Sequence, residues 1–166
     1  SYFEIYNETV NDLLNPTEEG KKLRVREHPD LGPYVENLKN VATMSFEDMD
    51  LLMTQGLSAR QVQSTGMNAE SSRSHSIFQI RINKVDTTQG EGVAFGKESK
   101  ISLIDLAGSE RAGSAGAAAL QSAGKFINQS LTALGKCIAA LVKAQNSGKE
   151  AHIPFRESVL TWLLRE

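Results

Sequence analysis

The stretch ISLIDLAGSER, residues 101–111, constrains the fold of this chain more than any other. Its first half is apolar enough to be a buried strand, and it then breaks into Asp105, Gly108, Glu110 and Arg111. A carboxylate at a strand tip can hold a water of a Mg²⁺ shell. A glycine three residues later lets a backbone N–H approach a terminal phosphate with no Cβ in the way. The same Asp-x-x-Gly spacing also makes an ordinary turn, so the rest of the chain has to decide between the two.

A second polar segment, NAESSRSH at residues 68–75, bears on that choice. Ser71, Ser72 and Ser74 carry hydroxyls suited to phosphate oxygens or a metal, and Arg73 carries a planar fork suited to a carboxylate or phosphate; a polar loop with a helix cap is the plainer alternative. Phe78, Ile80 and Ile82 then alternate as a strand, a Gly-rich hairpin loop runs from about Asp86 to Gly96, and a returning strand ends at Asp105. The antiparallel pair brings both polar segments to one end of a sheet. A Ser72–His75–Asp105 triad would be a competing chemistry, but no nucleophile elbow surrounds Ser72 or Ser74.

Elsewhere, Phe3 and Ile5 share one face of an opening strand, with Tyr2, Glu4 and Tyr6 on the other. A short helical turn is expected over Val10–Leu14 and a small projecting hairpin over residues 23–38. Ser45 is positioned to cap a helix running to about Gly56, with a second helical stretch from Leu57 to about Val62 and a loop after it. Ile127, Leu131, Leu134, Ile138 and Leu141 step at helical spacing towards Gln145, and a last helix has Pro154 in its first turn and Val159, Leu160, Leu163 and Leu164 as its apolar face. Strands mixed with helices place the chain in the α/β class.

At 166 residues, 40% apolar and 23% charged, the chain has the size and composition of one ordinary globular domain. Its formal charge of −2 gives no global basic field for nucleic acid. No apolar window is long enough for a membrane span. The single Cys137 fits a reducing compartment.

SSRSH followed by DLAGSER, then INQSLTALGKCIAAL and HIPFRESVLTWLL, resembles the C-terminal half of a kinesin motor domain, and SYFEIYNETVNDLL at the start agrees. LRVREHPDLGPYVENL and SVLTWLL are most similar to the third kinesin class. The resemblance spans nearly the whole chain. It implies part of a kinesin-like P-loop NTPase fold, a central mixed β-sheet flanked by helices, with residues 1–166 as one partial motor domain truncated at both ends. It implies an ATP-driven, microtubule-stimulated motor of the cytoplasmic cytoskeleton with ATP and Mg²⁺ as cofactors. Ser71 and Ser72 match residues near the γ-phosphate, with Ser72 also at Mg²⁺. Asp105 matches a residue on the metal's water shell, and Gly108 matches the γ-phosphate sensor. Arg73 and Glu110 match an ion pair that closes both loops around the attacking water, so Arg73, Glu110 and Ser72 are the expected catalytic residues. Lys125, Gln129, Lys143, His152 and Arg156 match positions facing tubulin.

Two departures qualify that expectation. No Gly-rich loop ending in Gly-Lys-Ser/Thr is present, since Gly148-Lys149 is followed by Glu150; in the family that loop belongs to the N-terminal half, which would be the missing partner, and this segment by itself is expected to be inactive. AGSAGAAALQSAG is uncharged, and Gln129 stands where the family has lysine, so attachment to acidic tubulin is expected to be weakened. A non-catalytic module derived from a motor, binding a protein partner without hydrolysing nucleotide, is the alternative.

Overall fold

In the computed structural model, residues 1–16, 22–30, 32–66, 74–86, 95–108, 119–148 and 151–165 are described. Among the described residues, six strands form two sheets. Strands β1 (Tyr2–Tyr6), β2 (Thr9–Asp12), β5 (His75–Asp86) and β6 (Phe95–Asp105) lie in the order β2-β1-β5-β6, and β3 (Val25–His28) pairs with β4 (Gly32–Val35). Every pairing is antiparallel. Helices α1 (Phe46–Gly66), α2 (Ala119–Ser147) and α3 (Val159–Leu163) complete the described fold, with a 3₁₀ turn at Phe155–Glu157.

The alternation in β1 works on both sides, as its sequence implies. Phe3 and Ile5 join Val10, Ile77 and Leu160 in one buried cluster, lined by residues of the β3–β4 hairpin such as Val25 and Val35. Tyr2 joins Leu13 and Phe78 in another, with Met53 of α1 against it. Tyr2 meets Phe78 edge to face, with ring centroids 5.4 Å apart. The strand is buried on both faces, so it has to be interior to a layered α/β sheet.

Three local expectations change. Val10–Leu14 is not helical: Tyr6 pairs with Thr9, and Asn7 and Glu8 take φ values of 48° and 58°, so a two-residue hairpin turn of the left-handed kind leads into β2. Residues 46–66 form one helix rather than two. Ser45 does cap it, since Asp48 N–H donates to Ser45 Oγ at 3.1 Å and Ser45 N–H donates back to Asp48 Oδ2 at 3.2 Å. The last apolar segment is split, because Ser158 adopts an extended conformation (φ −148°) and caps α3 by accepting from Thr161 N–H. Glu8, in the left-handed turn, also accepts from Val159 N–H at 2.7 Å.

Gly56 explains why α1 continues where a stop was expected. Its role is close approach: a Cβ there would lie 2.1 Å from Tyr2 Cδ1 and 2.6 Å from Cε1. That ring is wedged against Phe78 and cannot retreat cheaply. Gly56→Ala should therefore destabilise the protein despite a helix-propensity gain of up to about 1 kcal/mol, because overpacking costs about 1–3 kcal/mol. Urea unfolding is expected to show a lower midpoint; an unchanged or higher midpoint would contradict this packing.

Candidate functional site

The first residues of β5 organise the end of the sheet. Ser76 pairs with Asp105, and Ile5 pairs with His75. Neighbouring strand residues point to opposite faces. Ser74 and Ser76 therefore face α1 while His75 faces α2, and each face carries its own polar bracket.

On the α1 face the bracket is Arg60, whose side chain is only 10% exposed. Its guanidinium donates to Ser74 C=O at 2.8 Å, to Ser76 Oγ at 3.2 Å and to Asp105 Oδ2 at 3.0 Å. One planar group thus ties the entry of β5 to the exit of β6, which a lysine's single ammonium could not do in the same geometry. Beside it the buried Glu4 carboxylate accepts from Ser74 Oγ and from Asn11 Nδ2, each at 3.0 Å. Asp105 itself keeps a side chain 71% exposed at the strand tip.

On the α2 face the bracket is His75. Ala107 N–H donates to its Nδ1 at 3.1 Å, and its Nε2 lies 2.8 Å from Ser130 Oγ on α2. An Nδ1 that accepts leaves the proton on Nε2, so the ring is the neutral Nε2–H tautomer and donates to Ser130. Burial pushes its pKa below the ordinary imidazole value, partly opposed by the charge of Asp105 and assisted by that of Arg60. Neither ring nitrogen is engaged by Asp105, which removes the His–Asp half of the serine triad considered from sequence.

Asp105 ends β6 as expected, and Gly108 follows with φ +68°, a conformation that disfavours any side chain. Ser71, Ser72, Arg73 and Glu110 lie outside the described residues, as do Lys149 and the stretch 109–118. The segment carrying Ser71–Arg73 leads in sequence directly into Ser74, the residue held by Arg60. Lys125 falls within α2, and its side chain is outside the described residues. Gln129 and Lys143 are exposed on the same helix. His152 and Arg156 line one open cleft with Arg165 and Glu157.

That cleft is not simply cationic. Arg156 pairs with Glu27 of β3 and lies 5.4 Å from the centre of the Trp162 ring, Arg165 donates to the other Glu27 oxygen at 2.7 Å, and Lys136 donates to Glu157 at 2.7 Å. The two arginines, Arg156 first, hold Glu27 below the usual carboxylate range. The buried seam of α2 also differs from the apolar series read in its sequence. Ser130, Ala133 and Cys137 are buried, whereas Ile138 and Leu141 are exposed. Small side chains let α2 approach the body closely, and that approach brings Ser130 within reach of His75.

Arg60, His75 and Ser130 carry the site's geometry, and sequence reading assigned none of them a structural role there. His75 had a usable signal: it shares strand parity with the buried Ile77, so it is a polar group at an inward position. Arg60 had none, because its partners come from distant segments.

Among the described residues no group of three or more His, Cys, Asp or Glu could hold a metal directly, and no helix is long and apolar enough to cross a membrane. Helices against a sheet whose edge strand runs out into Asp-x-x-Gly make this an α/β architecture. The chain belongs to the kinesin motor domain family, whose model matches residues 1–166. It is 51% identical to Kinesin-related protein 1 of Dictyostelium discoideum and 52% identical to Kinesin-like protein KIF1C of Homo sapiens, each over all of this chain and over 8% and 15% of those proteins. A solved fast kinesin, described for its ATPase mechanism and interactions with microtubules, superposes over the whole chain with a TM-score of 0.82 at 40% identity, and this chain covers 44% of it. A KIF14 dimer solved with AMP-PNP in complex with a microtubule gives 0.81 at 40% identity, with 47% of that chain covered. The chain therefore spans a small part of its curated relatives and just under half of the solved motor chains.

The neutral His75 makes stability depend on pH in a defined direction. Its folded pKa is lowered from 6.5, so the unfolded chain binds the proton more readily. The contribution is fully present above about pH 6.5 and is lost as pH falls from there through the folded value, with a slope of up to about 1.4 kcal/mol per pH unit. Urea midpoints at pH 7.5, 6.5 and 5.5 should fall on the acid side only, and His75→Asn should flatten that fall. An identical acid response in the variant would contradict the assignment.

Proposed function

We propose that residues 1–166 form the C-terminal half of an ATP-driven microtubule motor domain in the cytoskeleton, with both phosphate-sensing loops and part of the track-facing surface. The observation that carries this reading is the pairing of Ser76 with Asp105. The pairing sets the start of β5, which the Ser71–Arg73 segment precedes in sequence, beside the end of β6 at Asp105, and so supports one phosphate being read by both segments. The family match over the whole chain supports the motor over a non-hydrolysing module.

When bound, Mg²⁺·ATP supplies the phosphoanhydride bond and the charge that the two loops sense. The residues present fit that group. Asp105 is exposed at the strand tip yet already shares one oxygen with Arg60, which suits a carboxylate acting on a hydrated ion through water better than one binding bare metal. Gly108 offers a backbone N–H without a Cβ. Ser71 and Ser72 would donate hydroxyl protons to phosphate, and the Ser72 oxygen would hold the metal. Arg73 and Glu110 form a charge-assisted pair when both loops close, which orients the attacking water. The phosphate cradle belongs to the remainder of the motor. The described edge of the sheet is open to it: Leu103 and Ile104 point to opposite faces of β6, and both are exposed.

Microtubule attachment uses Lys125, Gln129, Lys143, His152 and Arg156, and is weakened. Arg156 is already engaged by Glu27, which Arg165 shares, and Gln129 brings no charge to an acidic partner. Glu110→Ala in the full-length protein should lower microtubule-stimulated ATP turnover about 100-fold or more, the scale of losing one group that acts only in the transition state, with ATP affinity nearly unchanged. An unaffected rate would remove Glu110 from the mechanism.

A further inference from the structure

His75 is a rigid ring hydrogen-bonded at both nitrogens, and its two partners belong to different elements. Ala107, on one side, precedes Gly108 in the turn after β6; Ser130, on the other, lies on α2. All three residues are buried, at 3%, 4% and 2% exposure. If the Ala107 peptide moves while α2 stays, a buried polar group is left unpaired, and the same holds if α2 moves alone. The ring itself is anchored where Ile5 pairs with His75 in the sheet. Ser130 belongs to the small-residue seam of α2 with Ala133 and Cys137, so the helix is close enough for this bond to set its position.

We infer that His75 and Ser130 are positioning residues that transmit displacement of the Ala107–Gly108 peptide to α2 through the Ala107 N–H···His75···Ser130 hydrogen-bond chain. This inference rests on the motor reading above, in which Gly108 senses phosphate and α2 contributes to the track-facing surface. Neither residue touches nucleotide or track; each acts through the groups it holds. Coupling then depends on the neutral Nε2–H tautomer, because only that form accepts from Ala107 and donates to Ser130 at once.

Ser130→Ala breaks the chain at α2 with minimal change of volume and no loss of helix propensity. In the full-length protein the ratio of microtubule-stimulated to basal ATP turnover is expected to fall about tenfold, within the usual range for a coupling between sites, while the microtubule concentration giving half-stimulation holds and the melting temperature falls by only a few degrees, from the unpaired His75 N–H. Ser130→Thr, which keeps the hydroxyl, should restore most of the ratio. His75→Gln, whose amide reaches towards the Nε2 position, should retain more coupling than His75→Ala, and adding Ser130→Ala to His75→Ala should lower the ratio no further. An undiminished ratio in Ser130→Ala would overturn the inference. So would a proportional fall of basal and stimulated rates, the mark of a purely structural role. If the unsubstituted protein shows no stimulation at all, the motor reading fails and the inference falls with it, whereas normal stimulation in both proteins sinks only the inference.

Discussion

The two-residue period of a strand, applied at Ser74 and the first two residues of β5, is the constraint on which the rest of this site depends. Ser74 and Ser76 must face one side of the sheet and His75 the other. With Asp105 opposite Ser76, a single strand end serves two helices at once. Arg60 reaches it from α1, and Ser130 of α2 meets His75 on the opposite face. A register slip of one residue would exchange the faces and lose both brackets, so the long β5–β6 ladder from Ser76↔Asp105 to Asp86↔Phe95 fixes the site as well as the fold.

The energetics of the two brackets differ. Arg60 is a buried cation that donates to a backbone carbonyl, a hydroxyl and a carboxylate, so removing it would strand the buried Ser74 carbonyl at a cost of about 1–3 kcal/mol. Its pair with Asp105 adds less, because that carboxylate is mostly in water. His75 is uncharged, so it can join three elements without the desolvation cost of a buried ion. The Glu27 contacts with Arg156 and Arg165 lie at the surface, where water screens them, and matter mainly for the charge that the cleft presents to a partner.

Much of the architecture was legible in the sequence because it follows from short periods. The alternation of Phe3 and Ile5 against Tyr2 and Glu4, the hairpin from Phe78 to Asp105, the Ser45 cap and the helix through Leu131 and Leu134 each depend on residues within a few positions of one another. The misreadings have two causes. Gly56 read as a helix stop because the Tyr2 ring that requires it lies far away in sequence, and Val10–Leu14 read as helix because the Asn7–Glu8 turn that makes it a strand uses non-glycine residues at positive φ. For the first reason Asp105 and Gly108 could be picked out by spacing, whereas Arg60 and Ser130 acquire their roles only from tertiary contacts. The apolar repeat of α2 located the helix correctly, but its buried seam is set by the small residues Ser130, Ala133 and Cys137.

The central claim is that one phosphate brings the two loop roots at this strand end into register. A structure of the full-length protein's motor domain with a non-hydrolysable ATP analogue and Mg²⁺ tests it most directly. The Arg73 guanidinium should lie on the Glu110 carboxylate at about 3 Å, with Asp105 on the water shell of the ion and the Gly108 N–H at the terminal phosphate. Arg73 and Glu110 held on opposite sides of the bound nucleotide, with no path to meet, would contradict it.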